Sequence, residues 1–154
     1  MRRIFSYHIT RLAQLDKSVI LIVGDIGYGL FGGFASSQIL NIGICEQSMI
    51  SVAAGMALEG LKPWVYTITP FLIERPFEQI KLDIDQQKAN VKLVGYADYP
   101  DQGPTHAEID APKLMGLFRN IRSYFPKTNE EVREAMIEAL KPGPVFISLK
   151  KARE

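Results

Sequence analysis

Residues 38–68, QILNIGICEQSMISVAAGMALEGLKPWVYTI, decide the fold. The stretch opens on a short apolar run, QILNIG (38–43), and closes on another, PWVYTI (63–68), both rich in residues that strands prefer. Between them, residues 46–60 have helical spacing. Met49, Ile50, Ala53, Ala54, Ala57 and Leu58 share one broad face, and Gly60 ends the run. A strand, a helix and a second strand in this order join parallel strands.

Outward from this unit, four more runs read as strands: VILIVG (19–24), VKLVGYA (91–97), IRSYF (121–125) and PVFISLK (144–150). Most are apolar almost throughout, as strands buried on both faces of a parallel sheet must be. Helical spacing returns over 74–88, where Phe77, Ile80, Lys81 and Ile84 fall at i, i+3, i+4 and i+7. A shorter helix spans 110–118, opened by Asp110 and Pro112. Another spans 129–140, with Asn129 as cap, Glu130 and Glu131 in its first turn, and Lys141-Pro142-Gly143 as its stop. The alternation predicts an α/β fold, a three-layer α/β/α domain with a mostly parallel six-stranded sheet. No repeat or linker interrupts it, so residues 1–154 are expected to form a single domain.

Composition narrows the function classes. The 154 residues are 47% hydrophobic and 23% charged, ordinary for a soluble globular protein. Eighteen basic and 17 acidic residues leave a net charge of +1, which makes no electrostatic case for nucleic acid or a membrane surface. The opening MRRIFSYHIT is not expected to act as a signal peptide, and no apolar run approaches the roughly 18 residues of a spanning helix. The lone cysteine, Cys45, forbids an intrachain disulfide and predicts a reducing, cytoplasmic setting. Cys45 itself reads as a small buried core residue.

In such sheets ligands sit beyond the carboxyl ends of the strands. After the first strand, Gly27-Tyr28-Gly29-Leu30-Phe31-Gly32 matches G-x-G-x-x-G. A dinucleotide site would need a crossover helix next, and only Phe34 to Ser37 precede the second strand. After the second strand stands Glu46, in the first turn of a helix made thin by Ala53, Ala54, Gly55 and Ala57. A carboxylate there complements the helix dipole. Flanked by Ile44, Cys45, Met49 and Ile50, it is also poorly solvated, and burial raises a carboxylate pKa, suiting it to share a proton with a ring nitrogen. Phe71 follows the third strand and His106 the fourth. Phe71 reads as core or as an aromatic platform, and His106 as an exposed loop histidine or a proton-transfer group. A lone histidine such as His8 is by default an exposed loop residue.

Asn41-Ile42-Gly43-Ile44-Cys45-Glu46, followed by Ala53-Ala54-Gly55-Met56-Ala57, resembles the segment that carries the cofactor-activating glutamate of the transketolase family. Related segments occur in deoxyxylulose-phosphate synthases and in the β chains of 2-oxo-acid dehydrogenases. The resemblance implies that Glu46 hydrogen-bonds the aminopyrimidine of thiamine diphosphate and stabilises the imino tautomer that removes the thiazolium proton, with Ile44 beside it in the cofactor pocket. Thr69-Pro70-Phe71-Leu72 resembles the family's S-T-F-L motif, which makes Phe71 the stacking aromatic. Tyr99-Pro100-Asp101-Gln102-Gly103-Pro104-Thr105-His106 resembles its D-G-x-T-H loop, which turns His106 toward the donor's oxygens. Glu108 to Met115 resembles its I-E-D-x-A-x-M run, and Asp25 takes the acidic position after the first strand.

The resemblance runs from Ile4 to Leu149 and implies the pyrimidine-binding fold. The sequence has no G-D-G…N signature, so no metal ligand is assigned to it, and no carboxy-terminal transketolase domain is expected after the sixth strand. In this family the cofactor lies between a pyrimidine-binding and a diphosphate-binding domain. The expectation is therefore the C-terminal-section subunit of a split transketolase. A partner chain would hold Mg2+ and the diphosphate, in an α2β2 assembly. The reaction implied is transfer of a two-carbon ketol unit between sugar phosphates or nucleotide-linked sugars. The alternatives are a β-type subunit of a thiamine-diphosphate 2-oxo-acid decarboxylase or dehydrogenase, and a non-catalytic α/β partner module. Arg75 and Arg119 are candidate phosphate contacts. Residues 50–57 and the apolar Phe31–Phe34 loop are the expected interface.

Overall fold

The computed structural model describes residues 1–96, 102–107 and 110–149. Asp101 and its neighbours Tyr99 and Pro100, Glu108 of the following motif, and the strand ends Ala97 and Lys150 lie outside the described residues. The elements run α1 (Arg2–Leu15), β1 (Val19–Val23), β2 (Ile39–Asn41), α2 (Glu46–Leu58), β3 (Lys62–Thr67), α3 (Thr69–Ile73), α4 (Phe77–Gln79), β4 (Lys92–Tyr96), α5 (Ala111–Met115), β5 (Arg122–Tyr124), α6 (Asn129–Ala139) and β6 (Val145–Leu149). The six strands pair in parallel in the order β2-β1-β3-β4-β6-β5. Their register sets Val23 beside Asn41 and Tyr66, and Thr67 beside Gly95.

Alternation along each strand builds two cores. Leu21, Trp64, Tyr66, Val94 and Ile147 point to one face, where Phe5, Ile9 and Ala13 of α1 and Val132 and Met136 of α6 cover them. Ile22, Val65, Leu93 and Phe146 point to the other, under Met49 and Ile50 of α2, Leu72 of α3 and Met115 of α5. Both faces are thus apolar, which is why the strands read as continuous hydrophobic runs. Sheet and helices form the three layers expected.

Three local readings are corrected. The N-terminal helix α1 was not anticipated. Its fully buried residues are Phe5, Ile9 and Ala13, with Ile4 and Leu12 half-buried beside them, and its burial comes from the sheet it meets. Phe5 stacks on Tyr66 with ring centres 5.6 Å apart and lies 6.1 Å from Trp64. His8 is therefore a helical residue, edge-on to Tyr7, rather than a loop histidine. The helix expected over 74–88 begins earlier, as α3, and breaks at Arg75-Pro76. After α4 the chain widens into a π-helical turn over Ile80–Asp85. Ile80 and Ile84 stay buried while Lys81 turns to solvent, because a π-turn rotates the faces that a regular helix would keep. Finally, Thr128 rather than Asn129 caps α6, its hydroxyl accepting the Glu131 N–H at 3.1 Å. Asp110 does cap α5, accepting from Lys113 N–H at 3.1 Å.

No helix among the described residues is long and apolar enough to cross a membrane.

Candidate functional site

The strand order fixes where a ligand fits. From β1 the chain moves to β2 on one side, and from β3 it moves to β4 on the other. Connections diverging from adjacent parallel strands open a crevice at their carboxyl ends. A cleft of about 220 Å³ lies there, and Asp25, Ile44, Ile68, Phe71 and His106 all stand on its wall.

Each of these positions has a local cause. Gly24 and Asp25 follow β1, and Asp25 turns the chain with φ 55°, in the left-handed region where Asp is tolerated. Asn41, at the end of β2, holds that turn. Its Oδ1 accepts from the Asp25 and Gly43 backbone N–H groups, each at 3.0 Å, and its Nδ2 donates to Asp25 at 3.3 Å. Tyr28 donates its hydroxyl to the same carboxylate. The Tyr28 hydrogen bond, then that of Asn41, keeps the Asp25 carboxyl below its usual range, while Asp25 pushes the Tyr28 phenol up. The glycine motif makes this corner possible. A Cβ on Gly27, at φ 86°, would stand 2.7 Å from the Phe31 ring.

Glu46 opens α2 and is 4% exposed, a carboxylate withdrawn from water. Its Oε1 accepts from Arg75 Nη1 at 2.9 Å. The same guanidinium lies over Phe71, its carbon 3.5 Å from the ring centre. Phe71, in α3, meets His106 at 4.9 Å with the rings 65° apart. Thr105 Oγ1 in turn lies 3.1 Å from His106 Nδ1. The chain of contact Glu46–Arg75–Phe71–His106 joins three loops that are far apart in sequence.

The structure thus sets four of the five residues singled out from sequence (His106, Phe71, Asp25 and Ile44) on one cleft wall, whereas Glu46 is not on that wall and is joined to it only through Arg75 and Phe71. Ile44 is 64% exposed and Cys45 is exposed too, so the expectation of a buried Cys45 is corrected: α2 buries Met49 and Ile50 and turns residues 44 and 45 outward. Phe77 packs on Phe118 at 5.1 Å, away from the cleft wall. Phe31 is corrected as an interface residue. It is 6% exposed, edge-on to Phe5, Phe34 and Tyr66 within the chain's own core. Arg119 does not line the cleft. Sequence reasoning missed the place of Arg75 against Glu46. A basic residue just before a proline after a strand's carboxyl end was its one visible trace. It also missed Asn41, which carried no signal beyond its nearness to Glu46.

A buried carboxylate, an aromatic face and apolar walls at Ile44 and Ile68 suit a flat, amine-bearing heteroaromatic ring. The carboxylate accepts from ring N–H groups and the aromatic face stacks. The residues present fit an aminopyrimidine.

Comparison with known proteins agrees with this geometry. Residues 1–153 match the family described as transketolase, pyrimidine binding domain. Over 116 residues the chain is 39% identical to an apulose-4-phosphate transketolase subunit of Actinobacillus succinogenes, covering 73% of this chain and 37% of that protein. It is 32% identical over 156 residues to 1-deoxy-D-xylulose-5-phosphate synthase of Oleidesulfovibrio alaskensis, covering 94% of this chain and 24% of the synthase. Among solved structures, a split gene transketolase described as an inactive β4 tetramer superposes with TM-score 0.83 and 27% identity, over 97% of this chain and half of that one. Transketolase of Campylobacter jejuni shares the fold, with TM-score 0.85 at 20% identity, over 97% of this chain and 25% of its own. The chain thus spans half or less of each of these relatives.

Proposed function

We propose, from the premise that this chain belongs to the family of transketolase pyrimidine-binding domains, that it forms the aminopyrimidine side of a thiamine-diphosphate site completed by a diphosphate-binding partner chain. The observation that carries the reading is the buried Glu46 carboxylate, joined through Arg75 to the Phe71 ring that lines the cleft.

In this reading Glu46 accepts a hydrogen bond from the pyrimidine ring and holds a proton at that ring nitrogen. Burial keeps water from competing for the carboxylate. Phe71 supplies the stacking face, and Ile44 and Ile68 exclude solvent at the ring's edge. His106, held by Thr105, faces the donor's oxygens and moves a proton there. Asp25, fixed by Tyr28 and Asn41, stands at the mouth as an anionic wall. Thiamine diphosphate, when bound, supplies the electron sink for breaking and making a carbon–carbon bond beside a carbonyl.

The split-transketolase relatives favour a separate partner chain carrying the diphosphate and Mg2+, and the assembly we propose is α2β2. Sugar phosphates or nucleotide-linked sugars are the substrates proposed, with a two-carbon ketol unit transferred in a cytoplasmic setting. Calorimetric titration of thiamine diphosphate and magnesium tests the reading. Binding is expected in the mixture of the two chains, and Glu46→Gln is expected to lower ketol transfer by about 100-fold or more. Full activity of the Gln variant would remove Glu46 from the chemistry.

A further inference from the structure

We propose that Asp25, with Tyr28 as its positioning residue, biases the site toward ketoses and against 2-oxo acids: its carboxylate accepts a hydroxyl of a polyhydroxy ketone and repels a second carboxylate. The inference rests on the cofactor reading just given and adds to it the residue that chooses between the two substrate classes.

Asp25 stands on the cleft wall with His106 and is the one carboxylate among the described residues that line it. The two side chains that hold it stand elsewhere. Tyr28 and Asn41 line a separate cavity of about 330 Å³, and Ile26 lines both cavities and divides them. The Tyr28 hydroxyl and Asn41 Nδ2 both donate to Oδ1 of Asp25. Neither uses Oδ2, which is left to accept a hydrogen bond from a ligand. These contacts, Tyr28 first and Asn41 second, hold the carboxyl below its usual range, so it is an anion at neutral pH. An ionised carboxylate accepts hydrogen bonds and donates none. It can bond a hydroxyl, but a second carboxylate brings it no proton and a like charge.

The loop keeps Tyr28 in place. Asp25, Gly27 and Gly29 turn through positive φ, at 55°, 86° and 71°. The chain folds back on itself there and brings the Tyr28 hydroxyl to the carboxylate three residues earlier. Leu30 N–H donates to the Gly27 carbonyl at 2.9 Å and closes the turn. Beyond it the loop is pinned to the body of the domain: Ser6 Oγ donates to the Leu30 carbonyl at 2.5 Å, and Phe31 is buried in the core. The Tyr28 ring itself is 80% exposed, so burial among the described residues does not account for its position. Asp25 is exposed too, and salt therefore screens its charge. Selection by that charge weakens as ionic strength rises, whereas selection by shape does not.

The test uses the assembled complex with thiamine diphosphate and magnesium, and two substrates that carry the same two-carbon ketol unit. In L-erythrulose the unit is joined to a neutral polyol, and in hydroxypyruvate to a carboxylate. Asp25→Asn should move the ratio of kcat/KM toward hydroxypyruvate by about tenfold, chiefly through KM, and Tyr28→Phe should move it the same way by less. Added salt should shift the wild-type ratio in that direction and leave the ratio of Asp25→Asn flat. In the chain alone, tyrosine labelled with 13C at Cζ should show Tyr28 ionising above the usual phenol range in the wild type and lower in Asp25→Asn. A substrate ratio unchanged by Asp25→Asn in an active complex overturns the inference. So does a Tyr28 that titrates alike in both chains, a result that stands even where the variant complex does not assemble. No turnover of either substrate by the wild-type complex would bring down the cofactor reading itself, and this inference with it.

Discussion

Lys92 opens β4 at the end of the sheet opposite the cleft and is 3% exposed. Its ammonium donates to Asn90 Oδ1 at 2.7 Å and to the carbonyls of Lys141 and Gly143 at 3.1 and 2.6 Å. Burial first, and the nearby Arg122 second, pull its pKa from 10.5 down to about 8. In the unfolded chain the proton stays on up to the higher value. Between pH 8 and 10.5 the unfolded state therefore binds more protons, and this group's contribution to stability rises with pH. Urea unfolding across that window should show a rise in the wild type that is missing in Lys92→Met, on the order of 3 kcal/mol at most. A parallel pH dependence of the two proteins would clear Lys92 of the effect. At this scale the sequence was legible where a residue type carries chemistry by itself. Glu46, Phe71 and His106 stand out in the sequence because they follow strand ends and are of types, acid, aromatic and imidazole, that the proposed ring-binding site would use. Arg75 and Asn41 were not, because a guanidinium or an amide gains its meaning from groups that only the folded chain brings within 3 Å.

Among the elements, α1 is the one whose existence depends most on the rest of the protein. Its largest hold on the sheet is Phe5, fully buried among Phe31, Trp64 and Tyr66, with Ile9 and Ala13 buried beside it. Phe5→Ala should destabilise the protein by about 3–5 kcal/mol, read as a lowered denaturation midpoint with an unchanged slope. A loss below about 1 kcal/mol would mean that α1 docks by other contacts. The central strands were plain in the sequence, since burial on both faces imposes unbroken apolar runs. The edge strands β2 and β5, three residues each, are shorter than their apolar runs suggest, because they have one neighbour to pair with. The break at Pro76 and the π-turn after it were hidden, since Ile80 and Ile84 keep the same spacing in a regular helix.

For the molecule as a whole, α2 presents an outer face that the described residues do not cover. Val52 is 37% and Leu58 65% exposed, Gly55 is open, and the helix is apolar nearly all round. Helices of that kind belong inside an assembly. Val52→Glu should leave the circular dichroism melt nearly unchanged while weakening association with the partner chain proposed above about tenfold or more in sedimentation. Unaltered association would move the interface to another face. The α/β class and parallel pairing could be read from alternation alone, but the order β2-β1-β3-β4-β6-β5 could not, since nothing local says on which side of β1 the chain returns. The position of Trp64, the single tryptophan, has a practical consequence. It lies against Phe5 near the start of β3, about 10 Å along the strand from the cleft end at Thr67. The protein's intrinsic fluorescence is accordingly a lamp hung on the docking of α1. It will dim or shift when that helix lifts from the sheet and will report little of events in the cleft.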